Sequence, residues 1–182
     1  PPLFTPEDAA RSVPHRAFSP VHAWFAQRTP ALRADLGREF PDHDRPTLRE
    51  NPDNFGTYFH RGDLPVPFFW LGLGWSPEDP TDRLPSWGAS LEVNRQWVDA
   101  FERDEGGLRS ACEAAAQDAP AGVGLHRFDG HVELAEWRDF EWLLDQPDQD
   151  AALRGFWRDY LARLAKADVP RAVAAFVSHF AG

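Results

Sequence analysis

The chain has 182 residues, of which 42% are hydrophobic, and its formal net charge is −10 at pH 7. This length suits a single globular domain over residues 1–182, and such a negative charge argues against nucleic acid as a partner, since phosphate contacts dominate that affinity. No run of 18 apolar residues indicates a membrane span, and the start lacks a signal-peptide pattern. Because arginine also far outnumbers lysine, as in GC-rich genomes, we expect a bacterial-type cytoplasmic protein.

Aromatic residues dominate the apolar content, with eight Trp and fourteen Phe but no Met. These rigid side chains bury large areas and predict a core of fixed shapes. Cys112 is the only cysteine, which excludes an internal disulfide and a cysteine metal cluster. It lies in an Ala-rich helical stretch, where we expect a small buried side chain.

The first part of the chain predicts helices. Hydroxyl residues followed by proline at positions 5, 19 and 29 combine an N-cap with proline at the first helical position. We expect the helix that begins at Ser19 to break at Pro30 and to restart as a short helix ending near Gly37. Residues 41–53 are rich in Pro and Asp and predict a polar connection.

Three strands are then predicted from alternation or apolar content, over residues 54–61, 66–75 and 87–94. Alternation in the first strand places Tyr58 and His60 on the face opposite to its phenylalanines. The second strand is apolar on both faces, as an interior strand would be. In the third strand, Glu92 and Asn94 point away from the apolar face.

An Asp-Gly pair at positions 129–130 separates two further alternating runs. This pair is the strongest short-range hairpin signal, because a type I′ turn needs a positive φ at both central positions. The turn fixes the expected pairs, which are Phe128 with His131, Arg127 with Val132, His126 with Glu133, and Leu125 with Leu134. The alternation then puts His126, Phe128, His131 and Glu133 on one face of the hairpin.

Helical spacing returns after the third strand, with Gly106-Gly107 as a weak point, and again from Trp137 to Leu144, over residues 151–166 and near the end of the chain. The resulting order is α-α-β-β-β-α-β-β-α-α. It predicts an α+β fold, with a mostly antiparallel sheet of about five strands and helices packed on one or both faces.

If the strands align, one sheet face gathers a candidate ligand or partner surface made of Tyr58, His60, Phe68, Trp70, Glu92, His126, His131 and Glu133. The opposed His126 and Glu133 could act as an acid–base unit, because a carboxylate orients an imidazole and favours its charged form. A solvated cross-strand pair explains the same residues with fewer assumptions. Two histidines and one glutamate also form zinc sites, but the spacing matches no zinc motif, so we expect no metal and no cofactor and assign no catalytic residue.

No residue pattern resembles a known family, and the serine-hydrolase and P-loop motifs are missing. The acidic charge favours a binding or regulatory protein that recognises a protein partner with a basic surface, since opposite potentials steer association. A small-molecule-binding protein or enzyme with a His/Glu-lined aromatic pocket is the first alternative. A degenerate nuclease-like domain is the second, although Asn94 stands where such a site would place a lysine.

Overall fold

A computed structural model describes Thr5 and residues 19–51, 54–62, 67–74, 85–117, 119–120, 123–128 and 130–180. The helices in these ranges are α1 (Ser19–Leu36), α2 (Val98–Glu102), α3 (Leu108–Gln117), α4 (Phe140–Leu144), α5 (Gln149–Lys166) and α6 (Val169–Phe180). The strands are β1 (Arg45–Asn51), β2 (Asn54–His60), β3 (Phe68–Gly74), β4 (Ser86–Asn94), β5 (Val123–Phe128) and β6 (His131–Asp139). The proline-started helix predicted near position 5 lies outside the described residues.

The strands form one antiparallel sheet in the order β1-β2-β3-β4-β6-β5. This confirms the predicted α+β fold, with six strands where about five were expected. The additional strand is β1, in the segment predicted to be a polar connection. It pairs with β2 from Arg45, opposite His60, to Asn51, opposite Asn54. Pro46 and the charged residues around it are typical of edge strands, which escape detection because they lack an apolar alternation.

Helix α1 runs through Pro30 without the predicted break. Proline removes one backbone donor, but Pro30 is exposed, and the Thr29 hydroxyl donates to the Phe25 carbonyl at 2.6 Å. On the inner side of the helix, Phe25 and Leu32 are fully buried, one on each side of the proline. Tertiary packing of this continuous apolar stripe therefore outweighs the local preference of proline. The predicted end is confirmed, because the Gly37 amide donates to the Arg33 carbonyl at 2.8 Å.

The helices pack on one face of the sheet and form an aromatic core with it. Trp157 of α5 stacks on Phe59 with ring centroids 5.7 Å apart, and the Tyr160 hydroxyl donates to the Leu134 carbonyl at 2.7 Å. Tyr58 and Trp70 are also buried, but they lie outside this core cluster because they belong to the other face. Within the described ranges, no helix has the length and apolar character that a membrane crossing requires.

Candidate functional site

The strand register brings all the predicted surface residues onto the sheet face that is turned away from the helices. We call this surface the polar face, and it consists of Tyr58, His60, Phe68, Trp70, Glu92, His126, His131 and Glu133. Residues paired across antiparallel strands share a face, and here Tyr58 pairs with Trp70, while Glu92 pairs with both Phe68 and Glu133. His126 extends the same row from β5, opposite Glu133.

The predicted hairpin register is confirmed pair by pair between β5 and β6. Phe128 lies opposite His131, and His126 lies opposite Glu133. Gly130 has a φ of 104°, the left-handed backbone that the Asp-Gly pair predicts, whereas Asp129 lies outside the described residues. The sequence was sufficient here because a two-residue turn leaves only one register that keeps both leucines on the core side.

Three glycines, which we call the glycine row, lie side by side on the three neighbouring strands β2, β3 and β4, near one end of the polar face. Gly56, Gly72 and Gly88 lie opposite one another on β2, β3 and β4. A Cβ atom at Gly72 would lie 2.6 Å from the Trp70 ring, and one at Gly88 would lie 2.5 Å from the Trp137 ring. The missing side chains thus allow two indoles, with centroids 5.4 Å apart, to lie against the backbone of the sheet.

Trp137 is a residue of this face that sequence reasoning missed, because its spacing with Phe140 and Leu143 predicted a helix. Strand β6 continues to Asp139, and the helix begins only at Phe140. Trp137 lies opposite Gly88 and four residues from Glu133 on the same side of the strand. The alternation Glu133, Ala135, Trp137 was the signal that could have placed it on the polar face.

Two carboxylates oppose each other at the centre of the polar face. Glu92 is partly buried and accepts a hydrogen bond of 2.8 Å from the Ser90 hydroxyl, and Glu133 is only 8% exposed and lies beside the Trp137 side chain. Burial raises the pKa of Glu92 to about 7, with a further contribution from the charge of Glu133. Burial likewise raises the pKa of Glu133 to about 7. Near neutral pH the pair therefore binds about one proton, whereas two ordinary glutamates would both be ionised.

The acid–base unit considered for His126 and Glu133 is not formed in the described structure. These two described residues are opposed in the register, yet their side chains form neither a hydrogen bond nor an ion pair with each other. The His126 ring leans over Gly124, where an added Cβ would lie 2.9 Å from Nε2, and the Glu133 carboxylate is directed to Trp137. Register fixes which face a side chain occupies but not its rotamer, so the sequence could not exclude this outcome.

The other histidines of the polar face do not balance the carboxylates. Burial lowers the pKa of His60, with a smaller contribution from the positive charge of Arg49, and burial alone lowers the pKa of His131. Both rings are therefore neutral at pH 7. His131 stacks on Phe128 with centroids 4.7 Å apart and rings 14° from parallel, so it acts as an aromatic surface there.

Three polar atoms of this face are buried without a hydrogen-bond partner among the described residues. They are Trp70 Nε1, His60 Nε2 and Asn94 Oδ1. Trp70 itself is 3% exposed, so its indole N–H is withdrawn from bulk water. Asn94 lies two residues beyond Glu92 on the same side of β4, opposite His131. Buried polar atoms in folded proteins are nearly always satisfied, so three on one surface indicate partners that the described residues do not supply.

Accessibility differs along the polar face. At the β5–β6 end, His126 is exposed, Phe128 is 52% exposed, and Glu92 and His131 are partly buried. On β2 and β3, Tyr58 is only 8% and Trp70 3% exposed, whereas His60 and Phe68 are partly buried. A ligand would therefore reach the carboxylates from the β5–β6 end.

Among the described residues, no group of three or more His, Cys, Asp or Glu side chains is arranged to hold a metal ion. The zinc set considered from the sequence is therefore not assembled by this part of the chain. Comparison with protein-family models, curated proteins and solved structures finds no match for this chain.

Proposed function

We propose that this protein binds a small organic molecule on its polar face, with aromatic side chains as walls and a few buried polar groups that orient the ligand. The observation that carries the proposal is the Trp70 indole N–H, which is buried on this face without an acceptor among the described residues. Leaving such a donor unsatisfied costs about 1–3 kcal/mol, which a bound acceptor would recover.

The composition of the face supports the same proposal. Ligand sites combine mostly apolar and aromatic walls with a small number of polar groups. Tyr58, Phe68 and Trp70 form one continuous aromatic group, with neighbouring centroids 5.6 and 6.5 Å from Tyr58. None of these three rings belongs to the helical core cluster, so folding of that core does not explain why they are clustered.

Indole N–H signals in a two-dimensional ¹⁵N NMR spectrum test this proposal, because tryptophan side chains occur on both faces of the sheet. A library of small polar aromatic fragments is added at millimolar concentration. We expect binders to shift the indole signals of Trp70 and Trp137, identified with Trp70→Phe and Trp137→Phe. The indole of Trp157, which donates to the Leu32 carbonyl at 3.1 Å in the core, is the internal control. A library that leaves both polar-face signals unchanged would contradict the proposal.

The exposed end of the hairpin favours a second candidate function, recognition of a protein partner. Phe128 is one of two large hydrophobic residues exposed in the described structure, and it stacks on His131. An exposed aromatic residue on a chain of net charge −10 suits a partner with a basic surface, and we place this interaction in a bacterial cytoplasm. We expect the immobilised protein to retain a basic protein whose release requires added salt, and we expect Phe128→Ser to lose it. Equal capture by both forms would contradict this candidate.

A further inference from the structure

We infer that the ligand of the polar face is a small organic cation, whose ammonium group is held between the opposed Glu92 and Glu133. This inference rests on the proposed function, because it specifies the chemistry of a ligand for the same surface. The two glutamates are direct partners in the pairing of β4 with β6. Side chains paired in this way have Cβ atoms about 5 Å apart, which leaves both carboxylates within reach of one small group.

Two other buried carboxylates of the described structure, Asp35 and Glu136, are paired with arginines. Asp35, 4% exposed, accepts a hydrogen bond from Arg158 at 2.9 Å and lies 3.6 Å from Arg154. Glu136, 2% exposed, is similarly paired with two arginines. Burying a carboxylate without a cation is strongly unfavourable, and arginines compensate both Asp35 and Glu136.

Among the described residues, no arginine compensates Glu92 or Glu133 in this way. Their polar neighbours are the neutral side chains of Ser90 and Trp137, and no ion pair joins either carboxylate to an arginine, lysine or histidine of the described chain. A ligand cation would supply the missing positive charge. A positive group would therefore gain more binding free energy at this pair than elsewhere on the polar face.

A second, independent observation is the side chain of Asn94, which precedes the short helical turn at residues 95–97. Its carbonyl oxygen is buried without a partner in the described structure, and the side chain makes no capping hydrogen bond to that turn. Asn94 lies next to Glu92 on the same side of β4. The pair is therefore bordered by a third acceptor that lacks a donor, and an ammonium group offers several N–H donors at once.

The surroundings of the pair favour an organic cation over a hydrated metal ion. Phe68 is paired with Glu92 on one side, and the Trp137 indole contacts Glu133 on the other. Aromatic rings attract alkylammonium groups through their π faces and exclude the water that small metal ions retain. The described residues also form no group of three or more His, Cys, Asp or Glu side chains there that could hold a metal ion.

Proton release should accompany binding, because both carboxylates share raised pKa values of about 7 and a cation favours their ionised form. The other charged or titratable groups of this face are Arg45 and Arg49 on β1, Tyr58 and His60 on β2, His126 on β5 and His131 on β6. Of these, His60 and His131 have lowered pKa values and are neutral throughout the range from pH 7 to 8. Titration of the glutamates therefore dominates above pH 7, and affinity for the cation should rise by roughly tenfold between pH 6 and pH 8.

Three probes of similar shape and different charge test the inference: benzylammonium, benzyl alcohol and benzoate. The amine of benzylammonium stays protonated in this range, as that of lysine does. We expect isothermal titration and the Trp137 indole signal to show the tightest binding for benzylammonium, about tenfold tighter at pH 8 than at pH 6. Glu133→Gln and Glu92→Gln should each weaken this binding at least tenfold, whereas Glu39→Gln, which removes an exposed charge at the end of α1, should leave it unchanged.

The outcomes separate this inference from the proposed function. If benzyl alcohol or benzoate shifts the Trp137 signal as strongly as benzylammonium, the face binds ligands and the cation inference is wrong. Equal binding of benzylammonium by Glu133→Gln and the parent protein would also overturn the inference. If neither the three probes nor the fragment library perturbs the polar-face indoles, both the inference and the proposed function fail.

Discussion

Glu133 and Glu136 lie three residues apart on β6, so their side chains leave opposite faces of the sheet. Glu136 points to the helices and accepts hydrogen bonds from Arg163 of α5 at 2.5 Å and from Arg138 at 2.9 Å. Glu133 points to the polar face and lies opposite a second carboxylate, that of Glu92. One strand therefore carries two buried acids, one paired with arginines and one facing a second carboxylate. We expect substitutions at the two sites to change stability in opposite directions.

The unpaired carboxylates should make the protein less stable as the pH rises. Their pKa values of about 7 in the folded state, against 4.5 for an ordinary glutamate, mean that the native protein binds more protons than the unfolded chain. The free energy of unfolding therefore falls from about pH 4.5 to above pH 7, by up to roughly 3 kcal/mol per carboxylate.

Glu133→Gln should remove this penalty. We expect the variant to be more stable than the parent protein by about 1–3 kcal/mol at pH 8 and to differ little from it at pH 5, as measured by urea unfolding. Glu39→Gln controls for the change in net charge and should not alter the pH dependence. A variant that is destabilised to the same extent at both pH values would show that Glu133 is a structural acid.

Breaking the arginine pair of Glu136 should have the opposite effect. Arg163→Met leaves a carboxylate with 2% residue exposure short of one of its two cations, and we expect a loss of about 2–3 kcal/mol at pH 7. The matched control is Arg171→Met, because Arg171 is 84% exposed beside Asp168 and should change stability by less than about 0.5 kcal/mol. Combining Arg163→Met with Glu136→Gln should recover part of the lost stability. A double variant that is less stable than Arg163→Met alone would contradict this account.

The glycine row should tolerate no side chain at Gly72. A Cβ atom there would lie 2.3 Å from the Phe55 carbonyl oxygen, and that backbone atom cannot move without disturbing the pairing of β2 with β3. We expect Gly72→Ala to destabilise the protein by about 1–3 kcal/mol or more. Gly155→Ala is the control, because nothing lies within 4 Å of its added Cβ on α5, and it should stabilise the helix by up to about 1 kcal/mol. Equal effects of the two substitutions would contradict the close packing of the indoles.

Cys112 should be chemically inert in the native protein. The side chain is buried in α3, and burial raises the pKa of the thiol to about 12. Modification by a disulfide reagent at pH 8 should be slower by roughly 100-fold or more than in urea. A rapid reaction of the folded protein would show that α3 opens readily.

The sequence predicted most of the face but little of its chemistry. Alternation in β2 and β4 and the two-residue turn after Phe128 were enough to place the candidate residues of those strands and of the hairpin, whereas Phe68 and Trp70 lie on β3, which is apolar on both faces. Those signals depend on backbone geometry, which a short pattern determines. The placement of Cys112 in the core was likewise predictable from its Ala-rich helix.

The remaining features depend on long-range packing. Strand β1 has no apolar alternation, and only the presence of β2 beside it makes it a strand. The continuity of α1 through Pro30 follows from burial of its inner stripe under α5, which no local rule contains. The raised pKa values of Glu92 and Glu133 could not be predicted either, because they depend on how far burial removes water from the two side chains.

The glycine row also sets limits for anyone wishing to redesign this surface. The accessible edge of the polar face carries Phe128, His131 and His126. These residues could be varied to change ligand selectivity without altering the glycine row. Gly72 and the two indoles above it form a unit in which no member can be enlarged alone. New ligand specificities would therefore be engineered at these three exposed or partly buried positions, with the glycine row and the two indoles left unchanged.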